Sequence, residues 1–368
     1  MGLAAFYLAA GCMVLSALAT MVVKALAKRL AFIDQPRAGH IHTTPTPLGG
    51  GLAIFVAVWL PLGAAVGIAI LCRFDKRPDW IPEWIFVHFQ GVVSKTFELT
   101  LLFLASAVML MLGFLDDVSP MKALPKFLVQ VVVATAMVAF GFRASVFVGE
   151  ATWWGMATCW LVSILWITGI TNSLNLLDNA DGFAACVTAV VSLVFGLIAF
   201  ETGQLFIALF LFAILGAVVG FLPFNFPPAR IFMGDAGSLF LGFMLSTLTI
   251  LFTFYDHGSR HLVQTFFTPI LVMAVPMYDT ASVVLIRLRE GRPVFRGDTT
   301  HFSHRLAAMG LGGRGALFVS TMLTFFCGLS AMLLYHVSAS AAVLVFVQVG
   351  AVIALLIALE WAGRKPRE

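Results

Sequence analysis

Long apolar blocks run from one end of this chain to the other, and short polar clusters separate them. A membrane-crossing helix needs about 20 mainly apolar residues. Eleven blocks approach that length: residues 3–26, 48–71, 96–115, 124–142, 152–170, 182–200, 205–222, 236–255, 265–288, 315–336 and 340–362. Gly141, Arg143 and Gly149 mark the faintest break, between the fourth and fifth. The first block has no basic leading region and no convincing cleavage site, so it reads as a retained span and not as a signal peptide. No internal repeat or soluble module interrupts the series. The pattern predicts an all-α, polytopic membrane protein of eleven transmembrane helices, with residues 1–368 as a single integral-membrane domain.

Composition removes the alternatives. Of 368 residues, 61% are apolar and 11% charged, against about 45–50% and about 25% in soluble domains. Mean hydropathy is +1.00, which excludes a soluble globular chain and a disordered one. The net charge of +4 says little, but its distribution is informative: sixteen of the 22 lysines and arginines fall on one side of the spans. The positive-inside rule puts that side in the cytoplasm of a bacterial-type plasma membrane, the N-terminus outside and the C-terminus inside. The outer stretch 73–95 carries Trp80 and Trp84 among charges and reads as an interfacial amphipathic piece. All five cysteines lie in apolar stretches without a CxxC pair, as packing thiols do.

With this orientation every chemically rich connection faces the cytoplasm. Asp116-Asp117 closes the third span, with Lys122 and Lys126 close behind; adjacent carboxylates need such an offsetting charge. Asn172, Asn175, Asp178 and Asp181 recur every third residue. Neighbours at that spacing share a helix face, but the full run rotates too far to converge from one straight helix, so a break near Asn179–Gly182 is expected. The stretch Asn225 to Ser238 places Arg230, Phe232, Gly234 and Asp235 just before the eighth span. Gly234 and Gly237 would let backbone approach a ligand, and free amides at a helix start suit phosphate. A carboxylate beside phosphate oxygens suits Mg²⁺, and Phe232 could stack on a base.

The next connection, Arg296 to Arg305, contains Asp298, His301 and His304. Its composition fits phosphate binding better than zinc, because no third His or Cys completes a zinc set. A first turn-rich loop runs from Asp34 through His40 and His42 to Gly51. Asp279, inside the ninth span, either faces the site or marks a span that leaves the bilayer early; the nearby Arg287, Arg289 and Glu290 favour the second. Glu98 and Glu360 read as span-end groups without a role.

Together, GFLDD at 113–117, NxxNxxDxxDG at 172–182 and RIFMGDAGS at 230–238 resemble the polyprenyl-phosphate N-acetylhexosamine-1-phosphate transferases. The resemblance extends from Asp34 to Arg305. It implies ten or eleven helices and Mg²⁺ dependence, with Mn²⁺ as a substitute. It also implies transfer of a sugar 1-phosphate, GlcNAc-1-phosphate first among them, from a UDP-sugar to undecaprenyl phosphate. By the same resemblance Asp235 is the main metal ligand and Asn175 the second. Asp116, Asp117, Asp178, His301 and His304 are catalytic. Lys126, Asn172, Asp181, Asn225, Arg230, Phe232 and Arg305 contact substrate, with Asn225, Phe232 and Asp181 at the uracil. Gly39-His40 and His301-Phe302-Ser303-His304 depart from the family's usual first-loop and last-loop wording. The muramoyl-pentapeptide branch carries a triple histidine and a following acidic residue, both missing here, which points to a UDP-GlcNAc-like donor.

The chemistry agrees with that placement. A polyprenyl chain stays in the bilayer and a nucleotide sugar in the cytosol, so their phosphates meet only at the cytoplasmic interface. Expected partners are these two substrates and the lipid bilayer, with a homodimer as the one assembly considered and no nucleic acid. CDP-alcohol phosphotransferases are excluded because their arginine does not follow Asp181-Gly182. A transporter would keep its charged site near the bilayer midplane on broken helices, and no such pair is evident.

Overall fold

The computed structural model of the protein describes residues 2–35, 44–72, 77–79, 81–144, 152–252, 263–293 and 300–362. Gly39, His40, His42, Trp80, Arg296 and Asp298 lie outside these residues. The described chain is helical almost throughout. Its helices are α1 (Gly2–Arg29), α2 (Gly50–Leu71), α3 (Glu83–Phe86), α4 (Phe89–Ser94), α5 (Thr96–Val118), α6 (Ala123–Ala139), α7 (Trp153–Leu177) and α8 (Phe183–Glu201). They continue as α9 (Leu205–Asn225), α10 (Gly234–Leu251), α11 (Thr268–Val272), α12 (Ala274–Arg289), α13 (Phe302–Leu306), α14 (Gly312–Leu333) and α15 (Ala339–Ala362).

Among the described residues nine helical segments are long and apolar enough to cross a bilayer, counting α13 and α14 as one. Two of the eleven expected spans take other forms. The fourth is the shorter α6, of 17 residues. The ninth is bent by 66° between residues 264–272 and α12. Pro276 accounts for that break: it has no N–H to offer the carbonyl of Val272, so the helical ladder cannot run through. The protein is an all-α, multi-pass membrane protein. Large apolar side chains such as Phe6, Phe318 and Leu344 remain exposed on outer faces, as a lipid-facing surface requires.

Helix α10 is the centre of the bundle. Every residue from Ala236 to Thr249 is buried, with α5, α7 and α2 packed around it. Two glycines permit this crowding: a Cβ on Gly113 of α5 or Gly51 of α2 would collide with the backbone of α10's first turn. A two-stranded ribbon precedes α2, β1 (Ile33–Asp34) paired antiparallel with β2 (Thr46–Pro47). Pro47 accepts the amide of Phe232 at 2.8 Å, and the amides of Gly50 and Gly51 reach the carbonyls of Phe232 and Met233 at 2.9 Å each. The starts of α2 and α10 are thereby fixed side by side. Cys12, Cys159 and Cys327 are buried, Cys72 and Cys186 half-buried, and all five are free thiols.

Candidate active site

The two aspartates at the end of α5 do different work. Asp116 turns toward α6: its Oδ2 lies 2.8 Å from Lys126 Nζ, and its Oδ1 accepts the Met121 amide. This closes the tight turn between the helices. Asp117 turns toward α10, where Oδ1 accepts the amide of Asp235 at 2.8 Å and Oδ2 that of Ala236 at 3.1 Å. The first amides of a helix have no intrahelical partner and attract negative charge. The sequence suggested substrate phosphate for this place; in the structure Asp117's own carboxylate fills it. Gly234, at φ +74°, brings the backbone against that carboxylate, where a Cβ would strike Asp117. Gly237 packs against Gly51 and the Met233 side chain, so its smallness serves helix packing and not ligand approach.

Asp235, in the first turn of α10, is the convergence point. Its Oδ1 accepts from Asn175 Nδ2 at 2.8 Å, and its Oδ2 pairs with Lys126. Asn175 also donates to Ser238 Oγ at 2.9 Å, while its Oδ1 faces Lys126 Nζ at 3.3 Å. Lys126 thus sits among oxygens from three helices. Helix α7 runs straight through Asn172 and Asn175 and ends at Leu177. Asn172 lies a turn below, bonded to Gln130 of α6 and, at 2.8 Å, to the Thr168 carbonyl. It braces α6 against α7 beneath the site, and among the described residues it makes no hydrogen bond to the Asp235 carboxylate.

The chain breaks where expected, at residues 178–182, and Gly182 adopts φ +76° before α8. Asp178 follows α7 directly and its carboxyl makes no hydrogen bond among the described residues. Burial, and then the carboxylates of Asp235, Asp117 and Asp181, hold it well above the usual carboxylate range. Asp181 accepts the Ala229 amide at 2.8 Å. Asn225 is buried, with Oδ1 accepting from Gly182 N at 3.1 Å and Nδ2 donating to Ile231 O at 3.0 Å. These bonds bracket loop 178–182 to loop 226–233. Phe232 is half-buried beside them and Arg230 is exposed.

The histidine segment is anchored from α12. His301 is buried, its Nδ1 3.1 Å from Asp279 Oδ2, and Phe302 N donates to Asp279 Oδ1 at 2.6 Å. Asp279 itself is fully buried. Its helix does leave the line of the span at the α11–α12 bend, but the carboxylate faces the histidine segment and not solvent. The His304 ring lies 6.4 Å from that of His301. Ser303 Oγ bonds Asn179 Oδ1, which ties α13 to the loop that holds Asp178.

Arg305 has three partners within the protein. Its Nε lies 3.1 Å from Glu360 Oε2, Nη2 donates to Ser282 Oγ at 2.7 Å, and Nη1 donates to the Thr300 carbonyl. These bonds fix the guanidinium between α12, α15 and the start of the histidine segment. Sequence reasoning missed Glu360, Gln130 and the role of Asp279. The available signal was a polar or charged side chain inside an apolar helix, which is costly unless partnered or functional.

Among the described residues no three His, Cys, Asp or Glu side chains are grouped to hold a metal ion, but Asp235 and Asn175 offer oxygens of the kind Mg²⁺ takes. Asp116, Asp235 and Asn175 already converge on one cationic group, the Lys126 ammonium, and Asp178 adds a further carboxylate beside Asp235. Mg²⁺ typically takes one or two carboxylates and completes its shell with substrate phosphates and water. Asp117 spends one lone pair of each oxygen on the amides of Asp235 and Ala236.

The ends of four apolar helices bring two aspartates, an asparagine and a lysine together, and the histidine segment is tied to the neighbouring loop through Ser303 and Asn179; this is the architecture of a polytopic membrane protein with a polar site at its helix ends. Residues 99–253 match the profile of glycosyl transferase family 4. The chain is 30% identical to the probable undecaprenyl-phosphate N-acetylglucosaminyl 1-phosphate transferase of Bacillus subtilis, over 86% of this chain and 80% of the relative. It is 31% identical to the decaprenyl-phosphate N-acetylglucosaminephosphotransferase of Mycobacterium tuberculosis, over 82% of this chain and 75% of the relative. A shorter match, 38% identity over 42% of this chain and 44% of the relative, joins it to the phospho-N-acetylmuramoyl-pentapeptide-transferase of Streptococcus thermophilus. The chain belongs to glycosyl transferase family 4.

Proposed function

We propose that the protein transfers N-acetylglucosamine 1-phosphate from UDP-N-acetylglucosamine to undecaprenyl phosphate, releasing UMP and initiating a cell-envelope polysaccharide. The carrying observation is the convergence of Asp116, Asn175 and Asp235 on Lys126 at the ends of α5, α7, α10 and α6. The names of the two long-matching relatives support the lipid phosphate and the sugar.

The reaction is read as a single displacement. An oxygen of the lipid phosphate attacks the sugar-bearing phosphorus, a new P–O bond forms, and the bond to UMP breaks with its electrons leaving on UMP. The second pKa of a phosphate monoester is about 6, so the attacker is largely dianionic at neutral pH and needs little activation. Phosphoryl transfer then depends on positioning and charge stabilisation. Lys126 and His304 hold phosphate oxygens, His301 is oriented by Asp279, and Asp116 keeps Lys126 aimed at the cleft. Asp235 and Asn175, with Asp178 beside them, would hold Mg²⁺, which supplies charge neutralisation at the diphosphate. Mn²⁺ is the expected substitute.

The lysine and arginine bias supports a cytoplasmic site, with the N-terminus outside and the C-terminus inside. The test is UMP release by purified protein in detergent with undecaprenyl phosphate, Mg²⁺ and a panel of UDP-sugars. Release that requires both lipid and metal, fastest with UDP-N-acetylglucosamine, is expected. No release with any UDP-N-acetylhexosamine from folded protein would overturn the proposal.

A further inference from the structure

Helix α15 contributes a buried charge where none is needed for crossing a bilayer. Most of its side chains are exposed and apolar, Leu344, Val347 and Leu355 among them, but Glu360 is only 7% exposed. One Glu360 oxygen, Oε2, receives both the Tyr278 hydroxyl at 2.9 Å and Arg305 Nε at 3.1 Å. The other has no hydrogen-bond partner among the described residues. A buried carboxylate in an apolar helix is costly unless its partners repay it, so the position of this group calls for an account.

Its partners surround the histidine segment. Arg305 spans that segment, bonding the Thr300 carbonyl just before His301 and Ser282 on α12. The guanidinium lies 5.9 Å over both the Tyr278 and Phe302 rings, which meet edge to face at 5.6 Å. Asp279, adjacent to Tyr278, holds His301 and the Phe302 amide. Beside the Ser303–Asn179 bond, the segment around His301 is thus held by Asp279 of α12 and by Arg305, and Glu360 of α15 holds Arg305 in turn.

We infer that Glu360 is a positioning residue for the active site: through Arg305 and Tyr278, α15 holds the His301–His304 segment in its working geometry. Glu360 touches no substrate. This inference rests on the transfer reaction proposed above, in which that segment acts on phosphate.

The test combines turnover with amide exchange. Glu360→Ala is expected to lower kcat at least about tenfold with KM for the UDP-sugar within about threefold, as loss of a contact made only in the transition state does. Glu360→Gln keeps an acceptor for Tyr278 and Arg305 and is expected to retain turnover within about threefold. Arg305→Ala combined with Glu360→Ala is expected to be no worse than Arg305→Ala alone, since coupled partners do not add. Hydrogen–deuterium exchange should rise in the peptide covering residues 300–306 in Glu360→Ala and stay near wild type elsewhere.

Wild-type turnover in Glu360→Ala, additive losses in the double variant, or faster exchange spread over the whole protein would each overturn the inference. If the wild-type protein releases no UMP, the proposed reaction fails separately, and the exchange measurement still decides whether Glu360 holds the segment.

Discussion

Asp117 and Asp235 are joined backbone to side chain: the carboxylate of Asp117 accepts the amide of Asp235 at 2.8 Å, leaving the Asp235 carboxylate to Lys126 and Asn175. One aspartate fixes where the helix starts; the other presents its charge to the cleft. Asp117→Asn leaves one oxygen to serve two amides. It should lower stability by about 1–2 kcal/mol, the usual cost of losing a helix-start acceptor, and reduce turnover by misplacing Asp235. Thermal unfolding in detergent and UMP release measure the two effects, and a fully stable but inactive variant would assign Asp117 directly to the chemistry.

Asp235→Ala should leave a folded protein with turnover reduced at least about a thousandfold, because charge stabilisation is the main resource of phosphoryl transfer. Near-normal rates would remove Asp235 from the metal assignment. Isothermal titration with Mg²⁺ in the presence of UMP provides a readout independent of turnover and should lose its signal in the same variant.

Lys126 is the one cationic side chain among the Asp116, Asp235 and Asn175 oxygens in the described residues, and its side chain is 12% exposed. Lys126→Met removes it and leaves carboxylates facing each other. Breaking such an enclosed pair costs about 3–5 kcal/mol. Added Mg²⁺ should restore part of the lost melting temperature, and more in the variant than in wild type, since an ion that binds only the folded state stabilises it. Equal shifts in both proteins would argue that the metal lies elsewhere.

The membrane architecture and the clusters could be read in the sequence because each cluster interrupts or ends a long apolar run. Asp116, Asp117, Asn175 and Asp235 stood out for that reason, and the break at Gly182 followed from helical rotation alone. What each carboxylate faces could not be read. Asp116 and Asp117 are adjacent, yet a helix turns them toward different neighbours, α6 and α10. The partner of Asn225 is a backbone amide 43 residues away and that of Arg305 a carboxylate 55 residues away; spacing along the chain does not encode such contacts. The bend at Met273 was equally hidden, because hydropathy is blind to a missing amide at Pro276.

His301 depends on Asp279 for orientation, and that bond makes a separable prediction. Asp279→Asn preserves size and one acceptor, so the fold should persist, but the charge that holds the His301 ring is gone. Turnover should fall about ten- to a hundredfold, the usual scale for losing the partner that orients an acting histidine. His301→Ala should cost at least as much, and adding Asp279→Asn to it should cost little more. Independent, multiplying losses would show that Asp279 acts by another route.

Asp178 offers a test with a defined sign. Burial and the neighbouring Asp235, Asp117 and Asp181 carboxylates raise its folded-state pKa well above the ordinary aspartate range. A carboxyl whose pKa is raised by folding binds its proton more tightly in the folded chain. Ionising it therefore costs stability, beginning as pH rises past the unfolded value near 4 and reaching its full extent above the folded value. Asp178→Asn removes that penalty. The variant should melt higher than wild type at neutral pH, and the gap should close as pH falls toward 4. It should nonetheless lose turnover, because the same unpaired carboxylate is what makes the cleft attractive to a cation. Melting curves from pH 4 to 8 without metal decide the point: a gap of constant size would mean that Asp178 is not under electrostatic strain, and a gap that Mg²⁺ abolishes at neutral pH would place the ion beside it.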